Sequence, residues 1–139
     1  MADEIYTVRA MIKGVDQTPR KLSLVASLVR GRSVADASII LDHTPKRAAL
    51  AIKKAIMSAS ANATNNHGLD SKSLAISTLS VTAGPRLRRY KPASRGRALP
   101  FAKKSSHILV EVTGTLKQVK KPAAKKAEAA EKPAKKEEK

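Results

Sequence analysis

Between Gly84 and Phe101 the chain reads GPRLRRYKPASRGRALPF, which places Arg86, Arg88, Arg89, Lys91, Arg95 and Arg97 in one short stretch without an acid. Lys103 and Lys104 follow directly, and from Ser71 to Val110 there are nine basic residues and no carboxylate. Charge of this kind cannot neutralise itself, so the chemistry on offer is anion binding. Arginine outnumbers lysine from Arg86 to Arg97, and the guanidinium fork matches phosphate oxygens two at a time and stacks on bases. Pro85, Pro92 and Pro100 stiffen the stretch, Gly96 frees it near its middle, and Leu87 and Leu99 are interspersed. Arg86 and Arg88 share a strand parity, as do Arg95 and Arg97. The bland alternative is a solvated basic loop, but such loops usually keep some acids to limit self-repulsion.

No other chemistry assembles. His43, His67 and His107 have no metal-binding or catalytic neighbourhood in the sequence. Ser105, Ser106 and His107 are adjacent, yet in a strand they alternate sides, which keeps a serine off its base. The acids preceding the C-terminal segment are Asp3, Glu4, Asp16, Asp36, Asp42, Asp70 and Glu111, sparse and scattered. There is no cysteine, so disulfides, zinc knuckles and thiol nucleophiles are all excluded. With no phosphate-cradling glycine loop either, neither an enzyme nor a metal or other cofactor is expected.

The charge fits an anionic partner. The 139 residues carry 28 basic and 11 acidic groups, a net of +17, which points to nucleic acid or an anionic surface. Aromatics are limited to Tyr6, Tyr90 and Phe101, too few to stack successive single-stranded bases. No apolar run approaches the roughly 20 residues that span a bilayer, and the N-terminus lacks the layout of a secretory signal, so a cytoplasmic protein is expected. Residues 117–139 read as a disordered tail rich in Lys, Ala, Pro and Glu. Residues 1–116 read as a single globular domain that is still +12, with 19 bases and seven acids. Its further candidate anion contacts are Arg9, Lys13, Arg20, Lys21, Arg30, Arg32, Lys46, Arg47, Lys53 and Lys54, each as readily explained by a solvated face. No internal repeat is evident.

The elements that must position these groups are legible from punctuation and period. IYTVRAMI (5–12) predicts a strand with Arg9 and Lys13 on one side. TPRKLSLVASLVRG predicts a helix capped by Thr18, opened by Pro19 and ended by Gly31, with Leu22, Val25, Leu28 and Val29 inward. Ser33 and Asp36 form a capping-box variant for a second helix, with Val34, Ala37, Ile40 and Leu41 inward. Thr44 and Pro45 predict the start of a third, whose Ala48, Ala51, Ile52, Ala55, Ile56, Ala59 and Ala63 suit flat packing on a sheet. It ends at Asn66–Gly68. In SLAISTLSVTAG the apolar parity switches between Ile76 and Leu79, which marks a bulge near Ser77 or Thr78, or a strand buried on both faces; the bulge is preferred. SSHILVEVTG alternates with Ile108, Val110 and Val112 inward. The expected fold is α+β: three helices packed on one face of a small three-stranded antiparallel sheet, with a long extended β-hairpin from about residue 84 to 104. A twenty-residue connection of this kind would reach about 33 Å beyond the sheet.

The run GPRLRRYKPASRGRA…KKSSHILVEV resembles the hairpin signature of the family of bacterial large-ribosomal-subunit protein twenty-two. TPRKLSLVASLVRGRSVADA and KRAALAIKKAIMSASANATNNHGLD are similar to that family's first and third helices. The resemblance covers about residues 5–113, and Gly84, Pro85, Arg88, Arg89, Pro92, Gly96, Arg97, Lys103, Ser106 and His107 occupy matching positions. Ala93, LPFA after Ala98, and Ser23 depart from the pattern. The resemblance implies large-subunit ribosomal RNA, neighbouring ribosomal proteins and the nascent polypeptide as partners. It also implies a tunnel-lining tip at Lys91, Pro92, Ala93, Ser94, Arg95 and Gly96. Without it, the competing reading is a DNA-compacting protein with a basic β-arm. That reading lacks a clear dimer-forming surface, and no obligate homo-oligomer is expected. A membrane-surface role is weaker, because the helices have small apolar faces and no aromatic anchors.

Overall fold

The structure, a computed structural model, describes residues 5–117. Three strands and three helices follow one another in the order β1 (Tyr6–Val15), α1 (Pro19–Val29), α2 (Val34–His43), α3 (Arg47–His67), β2 (Ala75–Pro92) and β3 (Ala98–Gly114). The sheet is antiparallel with order β1-β3-β2, so the last strand is central. Val8 and Ala10 of β1, Ile76 and Leu79 of β2, and Ile108, Val110 and Val112 of β3 turn one face inward. The helices cover that face: α3 lies on β1 and β3, and α1 on β2. The α+β fold read from the sequence is the one observed.

Alanine sets the spacing of the two layers. Ala48, Ala49, Ala55, Ala59 and Ala63 of α3 are buried beside Ile52 and Ile56. Short side chains bring the helix backbone close to the sheet, and each isoleucine contributes about 1.5–3 kcal/mol on full burial. Thr18 stands at the N-cap of α1 ahead of Pro19, although its hydroxyl makes no cap bond. Ser33 caps α2, accepting from the Asp36 N–H at 3.1 Å and donating to its carboxylate at 2.8 Å. Gly31 and Gly68 take the left-handed conformation that closes α1 and α3.

Two expectations need correction. Thr44 does not start α3. It terminates α2, its hydroxyl donating back to the Ile40 carbonyl at 2.7 Å, and the N-cap of α3 is Lys46. Leu28 is exposed, and Ala26 takes the inward place, because the core-facing stripe of α1 runs Leu22, Val25, Ala26, Val29. The parity switch in β2 is a bulge between Ile76 and Thr78, as preferred. Two further irregularities lie between Ala83 and Arg86 in β2 and between Ile12 and Val15 in β1. The tail expected at 117–139 lies outside the described residues except for Lys117, whose N–H donates to the Gly68 carbonyl at 3.1 Å. Among the described residues no helix is long and apolar enough to cross a membrane.

Candidate nucleic-acid interface

Beyond the second β2 bulge the outer halves of β2 and β3 leave the body as a two-stranded finger. Its pairing is continuous from Arg86↔Lys104 to Pro92↔Ala98. The strands therefore do not stop at Gly84 and Ser105 with a long connection between them; they are that connection. From Arg86 to Ser94 the finger extends about 27 Å at strand rise. At its end Arg95 (φ 57°) and Gly96 (φ 68°) are successive left-handed residues, as the centre of a tight primed hairpin turn requires. The Arg97 N–H donates to the Ser94 carbonyl at 3.4 Å across this turn. Arg95 thus lies within the turn and Arg97 just past it, and strand parity does not relate them.

The two faces of the finger differ. One pairs Leu87 with Lys103, Arg89 with Phe101 and Lys91 with Leu99, so each cross-strand couple joins a base to a large apolar group. The Lys91 ammonium lies 5.1 Å from the Phe101 ring centre. The other face is charged towards the body, with Arg86, Lys104 and Arg88. Towards the tip it is uncharged, with Tyr90, Pro92, Ala98 and Pro100. Among the described residues Lys103 is the one finger base that pairs with an acid, Asp16 at 3.0 Å. Both partners are more than half exposed, so the pair contributes little, about 0–1 kcal/mol. The other seven charges stand ready for an anion.

Three consecutive residues fasten the root. The Ser105 hydroxyl donates to the Pro85 carbonyl at 2.7 Å, joining the two sides of the finger. The fully buried Ser106 hydroxyl donates to the Gln17 carbonyl at 2.5 Å in the β1–α1 turn. The His107 Nδ1 accepts from the Gly14 N–H at 3.0 Å. The Ser-Ser-His run is thus an anchor with three separate partners. Removing the Ser106 hydroxyl leaves the Gln17 carbonyl without its donor, which costs about 1–2 kcal/mol. Ser106→Ala is accordingly expected to lower the urea midpoint while leaving the slope unchanged.

Around this root the body brings its own bases. A cavity of about 610 Å³ lies between the finger and the N-terminal ends of α1 and α3, lined by Lys21, Lys46, Arg47, Lys103 and Lys104 with Asp16. A second, of about 430 Å³, brings Arg20 to Arg86 and Lys104. A third, of about 260 Å³, holds Arg47 and Lys54. The remaining candidates are elsewhere. Arg9 and Lys13 project from the open face of the sheet. The Arg30 and Arg32 guanidinium groups donate to the Leu79 and Leu28 carbonyls at 2.9 and 3.0 Å. Lys53 is engaged with Asp42. Sequence reasoning missed Asp16, Leu24 and the anchoring role of Ser105. Their partners are remote in the chain, and no local spacing announces them.

Among the described residues no group of acids and histidines could hold a metal ion. Fold and surface together describe a basic α+β protein with an exposed, positively charged finger anchored at its root. Residues 10–113 match the family model described as ribosomal protein L22p/L17e, and the chain belongs to that family of structural, non-enzymatic ribosomal proteins. It is 43% identical over 113 residues to the large ribosomal subunit protein uL22 of Pediococcus pentosaceus, covering 81% of this chain and 96% of that one. It is 42% identical over 146 aligned positions to the protein of the same name from Metamycoplasma arthritidis, covering 96% and 70% respectively.

Proposed function

We propose that this chain is a structural constituent of the large subunit of the cytoplasmic ribosome, where it binds large-subunit ribosomal RNA and reaches the peptide exit tunnel with its finger. The supporting observation is the finger itself: a strand pair that satisfies its own backbone hydrogen bonds and carries eight bases, seven of them without an acid partner among the described residues. Such an element passes between RNA segments without a core of its own and holds them by neutralising phosphates, which gives affinity without sequence readout. The cluster at the root, Arg20, Lys21, Lys46, Arg47 and Lys54, extends the contact onto the body. Lys91 to Gly96 form the tip that faces the nascent chain.

Two measurements test this. A tagged copy is expected to sediment with the large subunit through a sucrose gradient after a high-salt wash, and a copy with residues 86–104 replaced by Asn-Gly to be incorporated poorly. Release into a nucleoid fraction would favour the DNA-binding arm instead. Because the chain has no cysteine, Ser94→Cys is a unique cross-linking handle. It is expected to capture nascent peptide on stalled ribosomes, whereas Ser58→Cys, exposed on α3, is not. Equal capture by both would remove the tunnel assignment.

A further inference from the structure

The cavity at the finger root is shaped for more than phosphate. It is lined by the five bases Lys21, Lys46, Arg47, Lys103 and Lys104 and also by apolar side chains, Leu24 of α1, Ala48 of α3 and Ala102 of β3, which form its apolar wall. Leu24 is 70% exposed, so its side chain is free to cover a ligand. The side chains of Lys21, Lys46, Arg47 and Lys104 make no hydrogen bond or ion pair among the described residues. Neither helix whose N-terminal end adjoins the cavity has an acid in its first turn or a side-chain cap. Every charged group but Asp16 therefore favours an anion, while the apolar wall favours a flat apolar body.

From this combination we infer that the root cavity receives one unpaired nucleotide extruded from the ribosomal RNA. Its base lies on Leu24, Ala48 and Ala102, and its phosphates sit among the lining lysines. This rests on the RNA-binding reading above and deepens it. The volume of about 610 Å³ falls within the range of small-ligand sites and holds a base with its ribose. Arg47 reaches the same space with a planar guanidinium that stacks on a base, a common substitute for an aromatic ring in RNA recognition. Asp16, held to Lys103 at 3.0 Å, steadies that lysine at the mouth. On this inference a paired helix meets only the basic side chains, whereas an extruded base also covers the apolar wall.

The test uses the full chain and two RNA hairpins of identical helical sequence, one carrying a single unpaired adenosine. The bulged RNA is expected to bind about tenfold tighter at equal salt, towards the low end of what one stacked base contributes. Amide resonances of Gln17, Arg47, Ala48 and Ala102 should shift with the bulged RNA alone. Ala102→Leu fills the cavity from an exposed strand position, and Leu24→Gln makes its apolar wall polar from an exposed helical one. Each is expected to abolish the tenfold preference while leaving binding to the fully paired hairpin unchanged. Equal binding of both RNAs, or a preference that survives both substitutions, overturns the inference and leaves the phosphate contact intact. Failure of both RNAs to bind at all would overturn the RNA-binding reading itself, and this inference with it.

Discussion

Replacing Arg86, Arg88, Arg89 and Lys91 together by glutamine is expected to lower affinity for a structured ribosomal RNA fragment by roughly 10²–10³-fold at 0.15 M salt. The slope of log K against log salt should flatten by about 3. These side chains are exposed along paired strands and bury nothing on which the fold depends. Circular dichroism and the thermal midpoint should therefore stay as they were. Lys103→Gln alone is expected to do much less, because that lysine is already paired with Asp16 and one charge is lost instead of four. Equilibrium binding at four or five salt concentrations decides the matter. An unchanged slope in the quadruple variant would mean that the finger is not where the phosphates are held.

The second large effect is steric and lies at the root. A Cβ built on Gly84 meets the Ser105 Oγ at 2.7 Å, the Ser105 carbonyl carbon at 3.1 Å and the Ser106 nitrogen at 3.2 Å. The hydroxyl is tied to the Pro85 carbonyl, and the other two atoms are backbone of the partner strand, so relief requires the strands to part. Gly84→Val is expected to cost about 2–3 kcal/mol, in the range of overpacking, and to lower Tm by roughly 8–15 °C. In Gly84→Ala, adding Ser105→Ala removes the shortest contact and is expected to restore part of the loss, a coupling that a double-mutant cycle measures. Gly14→Ala is the contrast. Nothing lies within 4 Å of its built Cβ, so its penalty is that of a left-handed φ of 73°, about 1–2 kcal/mol. Equal stability of Gly84→Val and the parent chain would show that the two strands separate freely at this point.

Features that arise from neighbouring residues were legible in the sequence; those that need distant ones were not. Pro19 and Gly31 bound α1 because both act through their own backbone angles. The β2 bulge showed because the buried parity changes from Ile76 to Leu79. The bulge after Ala83 left no such trace, since residues there face solvent and no apolar pattern records a slip. Thr44 misled because a hydroxyl beside proline can cap the helix ahead or close the one behind, and Ile40, four residues back, claimed it. The bases of the finger were plain from composition. Their division into a mixed face and a face charged at one end depends on cross-strand register, which the turn at Arg95 and Gly96 fixes. The root cavity draws on three separate stretches of chain, 16–24, 46–48 and 102–104, so no window of sequence contains it.

β3 is at once the central strand of the body and one side of the finger, 17 residues without a break from Ala98 to Gly114. Force applied at the tip along the finger axis therefore runs straight into the middle of the sheet, where β1 and β2 grip β3 on both sides. That geometry loads many backbone hydrogen bonds in shear at once instead of peeling them singly. The Ser105–His107 anchor sits where lever meets fulcrum and ties three other segments to the same point. A push or pull at the tip is thus carried by the whole body as one rigid piece, and the finger behaves as a strut rather than a tether.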